Sequence, residues 1–135
     1  MKIVIIDGQG GRIGRLLVEG IKEKLDQHEL VVIGTNALAT AAMIKAGAVH
    51  AATGENPVVF NSHDADLIVG PIGIVMANSM YGEVTEKMTT AVSSSKAKKI
   101  LIPISKCNHV VVGVENKPLS SYIELAINEI LNSFE

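Results

Sequence analysis

The feature that most constrains the fold is the start of the chain, where β-branched residues lead directly into a glycine cluster. Residues 2–7 read KIVIID and residues 8–11 read GQGG. A nearly unbroken apolar run is typical of a strand buried on both faces of a parallel sheet. From Ile13 to Leu25 apolar residues recur at three- and four-residue steps, which predicts an amphipathic helix. The chain therefore begins as a buried strand, a glycine loop and a helix.

The following segments repeat this alternation. Further strands are predicted at 29–34, 67–69 and 100–104, with a last one at 109–114. Residues 49–52 and 58–60 are alternative short strands on either side of the turn-rich TGENP, and the sequence does not decide between them. Helices are predicted from Thr35 or Asn36 to Ala46, from near Thr85, and from about Ser120. Ser121 and Glu124 are spaced as a capping box for the final helix. Gly20, on the apolar stripe of the first helix, predicts close contact between that helix and the sheet.

Strands that alternate with helices favour the α/β class. The expected architecture is a three-layer Rossmann-like fold, with a mostly parallel sheet, helices on both faces and right-handed crossovers. The 135 residues, 47% of them hydrophobic, suit one domain over residues 1–135 with a core that needs no disulfide or metal.

Charge and composition exclude several classes of protein. A net charge of -2 is the opposite of the basic surface that nucleic-acid binding requires. The longest run free of strongly polar residues, 67–77, is too short to span a membrane and contains Gly70, Pro71 and Gly73. The lone Cys107 and the absence of a secretion signal indicate the cytoplasm. The four histidines have no metal-ligand spacing, so no metal site is predicted.

The middle of the chain is poor in charge. Between Leu30 and Gly82 the charged residues are Lys45, Glu55, Asp64 and Asp66. An internal core, a ligand or a second subunit would each account for this composition, so a homo-oligomer is compatible with it.

The glycine loop, residues 8–11, is the strongest candidate for a ligand-binding site. Free main-chain amides and the positive end of the following helix attract phosphate, and glycines allow the phosphate to approach closely. Arg12 or Arg15 could add a charged hydrogen bond. The spacing G-x-G-x-x-x-G is one residue longer than the usual dinucleotide fingerprint, and a tight turn without ligand is the alternative. The candidate binding residues are Gly8, Gln9, Gly10, Gly11, Arg12, Ile13 and Gly14.

The end of the second predicted strand lacks a typical feature of dinucleotide sites. An acidic residue usually stands there to hold the ribose hydroxyls, whereas this chain has Gly34, Thr35 and Asn36. This argues against ordinary NAD binding, and no adjacent arginine serves the extra phosphate of NADP. Thr35 and Asn36 are candidates for bonding ribose or phosphate, and capping the next helix is their other role.

Loops after parallel strands converge on one edge of a sheet, where ligands bind. GQGG, GTN, GPIG and SKCN each follow a predicted strand. Gly70 and Gly73, with Asn78 and Ser79, could therefore approach a second phosphate, sugar or carboxylate. The alternative for GPIG is a packing turn beneath an apolar helix.

One segment offers covalent or acid-base chemistry. Lys106 precedes Cys107, and a neighbouring cation lowers a thiol pKa and favours the nucleophilic thiolate. A small buried cysteine is the more common alternative.

Two resemblances add to this interpretation. GQGGRIGRLL resembles the phosphate loop of dihydrodipicolinate reductases, which implies Gly8, Gly11, Arg12 and Gly14 as phosphate-loop positions; their catalytic histidine- and lysine-bearing motif is missing, so their activity does not carry over. Over its whole length the chain resembles a family of small bacterial proteins of unknown function, through IDGQGG, GTNALATAAMIKAGA, ATGEN, GPIGIVMANSM and ILIP followed by KCN. That family implies a Rossmann-like fold and no reaction.

The expected function is binding of a nucleotide, dinucleotide or other phosphate-bearing small molecule at the first strand, glycine loop and helix, with NAD(P) among the candidate cofactors. A small enzyme acting on a phosphorylated or carboxylated metabolite through Cys107 and Lys106 is one alternative. A structural or protein-interaction module is the other.

Overall fold

The computed structural model describes residues 1–104 and 108–134, in which five parallel strands and five α-helices alternate. The strands are β1 (Ile3–Asp7), β2 (Leu30–Gly34), β3 (His50–Thr53), β4 (Leu67–Pro71) and β5 (Lys98–Ile102); the helices are α1 (Arg12–Ile21), α2 (Ala37–Ala46), α3 (Glu55–Ser62), α4 (Glu86–Ser94) and α5 (Leu119–Asn132). Short 3₁₀ turns cover Gln27–Glu29 and Ile72–Val75. The strand order is β3-β2-β1-β4-β5, so the predicted α/β fold with a parallel sheet is confirmed.

The sheet is covered on both faces. All five residues of the central strand β1 are buried, and successive side chains point to opposite sides. Ile3 and Ile5 belong to the apolar cluster formed with α1, α2 and α5. Val4 and Ile6 belong to the cluster formed with α3 and α4. The three predicted layers are therefore present.

Short polar side chains begin two of the helices. The Asn36 Oδ1 accepts a hydrogen bond from the Ala39 amide at 2.9 Å and caps α2, which ends at Gly47 with a φ of 125°. The Thr85 hydroxyl caps α4 by accepting from the Met88 amide. Of the two capping residues predicted for α2, Asn36 is the one that fills the role.

Of the two alternative short strands, the one at 49–52 is present as β3, and the one at 58–60 is wrong, because residues Glu55–Ser62 form α3. Gly54 lies between β3 and α3 with a φ of 105°, and Pro57 lies in the first turn of the helix, where no amide donor is needed. Val58 is buried and Phe60 is 71% exposed, with the helix turning between them.

The predicted strand at 109–114 is also wrong. These residues are irregular and exposed, with Val110 91% and Val112 94% accessible. Runs of β-branched residues have a high strand propensity. Residues 109–114 nevertheless pair with no strand of the described chain, and a segment needs such a partner to join a sheet. The preceding strand β5 ends at Ile102, earlier than predicted, since Pro103 has no N–H for the ladder.

Two local predictions about helices need correction. Pro118 precedes α5 and no side chain caps that helix, so Ser121 and Glu124 do not form a capping box. A Cβ at Gly20 would collide with the Ile127 side chain, so the close contact made possible by Gly20 joins α1 to α5 and not to the sheet.

The charge-poor middle is largely core, since it supplies three of the five strands. Part of it lies at the surface, where Leu38 and Ile44 of α2 and Val49 before β3 are exposed. A homo-oligomer stays a prediction. Within residues 1–104 and 108–134, no helix combines the length and the apolar character that crossing a membrane requires.

Candidate functional site

The carboxyl ends of the central strands bring three of the predicted loops to one edge of the sheet. The glycine loop follows β1, residues 34–36 follow β2, and Pro71 ends β4. Since β2 and β4 flank β1, the chain connections diverge here, and a crevice at such a point is where open parallel sheets bind ligands. The fourth loop is described only from Asn108 onward, and Lys106 and Cys107 lie outside the described residues.

A cleft of about 560 Å³ opens at this edge. One wall is the end of β1 and the glycine loop, from Asp7 to Ile13. The rest of the lining is mainly apolar and consists of Pro71, Asn78, Met80, Tyr81, Ile104 and Leu119. This size and this combination of apolar and polar lining are typical of small-molecule sites.

The glycine loop is a tight turn in which the glycines have different roles. The Gly11 amide donates to the Gly8 carbonyl at 2.9 Å, and Gln9 and Gly11 have positive φ values of 49° and 73°. A Cβ at Gly11 would lie 2.8 Å from the Ala39 Cα, so a glycine is needed where α1 approaches α2. A Cβ at Gly10 would meet nothing within 4 Å. Gly10 therefore faces open space.

Asp7 occupies the amides at the start of α1. It is 4% exposed, and its Oδ1 accepts from the Gly8 amide at 2.8 Å while its Oδ2 accepts from the Gly14 amide at 2.7 Å. Gly11, the residue before α1, has no capping side chain, so the Asp7 carboxylate takes that role from the preceding strand. The inner part of the predicted phosphate cradle is thus filled by this chain's own carboxylate.

The environment of Asp7 makes its carboxyl group hard to ionise. Burial raises the pKa of Asp7 to about 6, although the amides of Gly14, Gly8 and Ile13 oppose the rise by hydrogen bonding to the carboxylate. The negative charge of Glu83 adds to the rise. Near neutral pH the cleft wall therefore carries a group that gains or loses a proton easily.

The outer part of the loop retains open donors. The amides of Gly10 and Arg12 donate to no atom of the described chain, and both residues line the cleft. The Arg12 side chain is exposed and forms no ion pair within the described residues, whereas the Arg15 guanidinium pairs with Glu19 at 3.1 Å. Arg12 is therefore the better placed of the two predicted arginines.

Glu83 lies on the β2 side of the same loop. Its Oε1 accepts from the Gln9 amide at 2.9 Å, the Thr35 hydroxyl at 2.6 Å and the Asn36 Nδ2 at 2.7 Å. Partial burial disfavours the charged form, but these three hydrogen bonds outweigh burial and hold the pKa of Glu83 below its usual value. Glu83 is therefore an ionised carboxylate at neutral pH.

The segment that carries Glu83 has an unusual backbone. Asn78, Met80 and Tyr81 have positive φ values of 64°, 56° and 58°, and Gly82 follows with 87°. The left-handed region costs a residue with a side chain about 1–2 kcal/mol. The segment folds over Gly8, where a Cβ would lie 2.6 Å from the Met80 sulfur. The segment therefore packs over Gly8, reaches the residues after β2 through Glu83, and also lines the cleft through Asn78, Met80 and Tyr81.

The remaining predicted positions are mostly packed within the protein. Gly70 is buried, and a Cβ there would collide with the Ile6 carbonyl of β1. Gly73 accepts a hydrogen bond from the buried Ser79 hydroxyl at 2.6 Å. Neither glycine lines the cleft, whereas Asn78 does.

Sequence reasoning missed Asp7 and Glu83. Asp7 could have been found, because a carboxylate at the end of a buried strand, a few residues before a helix, is expected to cap that helix or to take part in catalysis. Glu83 gives no local signal, since its partners Gln9 and Asn36 lie 74 and 47 residues away.

Two other cavities, of about 470 and 530 Å³, lie beside β5 and α5 and are lined in part by the irregular residues 109–117. Neither includes a glycine-loop residue. Across the described ranges, no three His, Cys, Asp or Glu side chains are grouped closely enough to hold a metal ion.

The chain belongs to a protein family: residues 2–135 match the model of a domain of unknown function (DUF3842). Neither the curated proteins nor the solved structures give a significant match. The family assignment agrees with a small Rossmann-like domain and leaves the function to be inferred from the site.

Proposed function

We propose that this protein binds a nucleotide, dinucleotide or other phosphate-bearing small molecule in the cleft beside the glycine loop. The observation that carries the proposal is that, within residues 1–104 and 108–134, the amides of Gly10 and Arg12 have no acceptor and the Arg12 guanidinium has no ion pair, while both residues line a cleft of about 560 Å³. Main-chain amides at a helix start, together with a guanidinium, are the groups that bind phosphate in other folds.

The two carboxylates restrict where the phosphate binds. Asp7 already accepts from the amides of Gly8 and Gly14, so an anion at those atoms would meet a second negative charge. The phosphate therefore binds at the outer turn, around the amides of Gly10 and Arg12, and not at the amides of Gly8 and Gly14.

The rest of the ligand extends toward β4. Pro71, Ile104 and Leu119 supply apolar surface there, and the fully exposed Tyr81 stands at the rim. A nucleobase or another flat group fits such a surface, because aromatic and apolar side chains bind its faces.

The test is calorimetric titration with AMP, ADP, NAD, NADP and inorganic phosphate. We expect at least one nucleotide to bind, and Arg12→Ala to weaken that binding about tenfold, the value of one charge-assisted hydrogen bond. Arg15→Ala is the matched control, since Arg15 lies on the same helix and pairs with Glu19. It should change the dissociation constant less than twofold.

Two results would contradict the proposal. One is that none of the five compounds binds the folded protein. The other is equal affinity in wild type and Arg12→Ala, which would remove this arginine from the site. Melting temperatures of both arginine variants, measured without ligand, separate lost binding from lost folding.

A further inference from the structure

We propose that Gln9, Thr35 and Asn36 form a second anion subsite, which the Glu83 carboxylate occupies in the free protein and which a phosphoryl group of the ligand takes over on binding. This inference deepens the proposed function, on which its ligand class depends. The ligand is then one that carries two phosphoryl groups.

The geometry of the three donors is that of an anion site. A main-chain amide, a hydroxyl and a side-chain amide converge on the single oxygen Oε1 of Glu83, at 2.9, 2.6 and 2.7 Å. An oxygen of a phosphoryl group accepts the same three hydrogen bonds. Glu83 therefore stands where a ligand oxygen would be bound.

The donors are held in place by contacts that do not involve Glu83. The Asn36 side chain is fixed by its cap on the Ala39 amide and by a hydrogen bond from its Nδ2 to the Gln9 carbonyl at 2.9 Å. The Gln9 amide belongs to the turn closed between Gly8 and Gly11. The subsite is therefore expected to persist when Glu83 leaves it.

Glu83 is attached to a segment that is poised to move. Three residues with side chains in this segment, Asn78, Met80 and Tyr81, have left-handed backbones, and Tyr81 is fully exposed. Strain of this kind persists only where other contacts impose it, and the hydrogen bonds to Glu83 are among those contacts. A ligand that replaces them lets the segment relax.

The two subsites are neighbours along the chain. The Gln9 amide points to Glu83, and the next amide, that of Gly10, is open. Consecutive Cα atoms are about 3.8 Å apart, a distance comparable to the spacing of adjacent phosphoryl groups in a diphosphate. A diphosphate can therefore span both subsites, whereas a single phosphate fills only one.

The experiment uses inorganic pyrophosphate as the probe and calorimetry as the readout. We expect Glu83→Ala to bind pyrophosphate about tenfold more tightly than wild type, because the competing carboxylate is gone. Glu86→Ala is the matched control: it removes an exposed carboxylate three residues further on, in the first turn of α4, and should leave the affinity unchanged. Unchanged or weaker binding by Glu83→Ala would overturn the proposal.

Double variants separate this proposal from the one on which it rests. Adding Thr35→Val to Glu83→Ala should abolish the gain. Adding Arg12→Ala should preserve the ratio between the variants with and without Glu83, even if the outer phosphate site proves wrong. A gain that survives Thr35→Val would contradict the second subsite alone.

Hydrogen exchange of the wild-type protein provides a test that needs no folded variant. The Asn78 amide donates to the Val84 carbonyl at 2.7 Å, and Gly82 donates to Asn78 at 3.1 Å. Pyrophosphate should speed exchange at these two amides, since displacement of Glu83 frees the segment. Unchanged or slower exchange on adding saturating pyrophosphate would count against displacement.

Discussion

The two sides of the glycine loop differ in how their polar groups are satisfied. Toward β2, the donors of Gln9, Thr35 and Asn36 all bond to Glu83, and Met80 covers Gly8. Toward β4, the amides of Gly10 and Arg12 have no partner in the described chain, and a cleft lies in front of them. One turn therefore has a closed side and an open side.

This difference shows that a glycine-rich strand-to-helix turn does not by itself make a ligand site. The same kind of amide can be satisfied by the protein or left for a ligand, and nearby carboxylates decide which. Here Asp7 and Glu83 satisfy the inner and β2-side donors. The amides of Gly10 and Arg12 are left without an acceptor among the described residues.

The largest expected effect contrasts Gly11 with Gly10. Gly11→Ala places a Cβ against the Ala39 backbone at a positive φ, and we expect it to lower the free energy of unfolding by about 4 kcal/mol. Gly10→Ala meets open space and should change it by less than about 0.5 kcal/mol. Urea unfolding of both variants measures the contrast. Equal losses would mean that the turn is not built as described.

The next effect concerns the pH dependence of Asp7. The pKa of this carboxyl is about 6 in the folded protein and about 3.9 in an unfolded chain. Between these values the folded state binds more protons, so the free energy of unfolding falls as pH rises from about 4 to about 6. For a fully buried group this loss is about 3 kcal/mol.

The measurement is urea unfolding of wild type and Asp7→Asn from pH 4 to pH 7. The stability advantage of wild type over the variant should shrink with rising pH, because asparagine does not titrate. Parallel curves for the two proteins would show that Asp7 has an ordinary pKa.

The smallest effect separates two residues on the closed side. Asn36→Ala removes the cap of α2 and the bonds to Gln9 and Glu83, and should cost about 2 kcal/mol. Thr35→Val removes one hydrogen bond to Glu83 and should cost about 1 kcal/mol. Thermal unfolding ranks the two variants, and a larger loss for Thr35→Val would contradict the role given to Asn36.

Much of the fold could be predicted, because its signals are local. Residues 3–6 of β1 are all apolar, which indicates a strand buried on both faces. After Gly11, apolar residues recur every three or four positions, which indicates a helix whatever the rest of the chain does. Asn36 and Gly47 mark the ends of α2 by their own side chain and backbone preferences.

The failures arise where residues outside the pattern itself, near or distant, decide the structure of a segment. The valines at 110–112 favour a strand, yet no described neighbour offers them an edge. Val58 and Phe60 carry the same preference, but Gly54 and Pro57 start a helix. Gly20 was assigned to the sheet because the position of α5 cannot be read from α1 alone.

The position of the glycine loop was predicted, but the hydrogen bonding of its amides was not. Glycines indicate where a backbone turns, and the loop lies at the edge of the sheet where the connections after β1 and β4 lead in different directions. The glycines do not indicate which amides lack an acceptor. That depends on Asp7 and on Glu83, which lies in an irregular segment and accepts from the Gln9 amide. Gly70 and Gly73 illustrate the limit, since both serve packing and neither borders the cleft.

The contact between Gly20 and Ile127 carries a consequence for the order of folding. The helix α5, at the end of the described chain, contributes Ile123, Ala126 and Ile130 to the same apolar cluster as Ile3 and Ile5. During synthesis the first strand and helix therefore emerge long before the residues that seal them from water. In a nascent chain stalled before residue 119, the apolar surface that α5 covers would stay exposed to water, and we expect such a chain to bind chaperones.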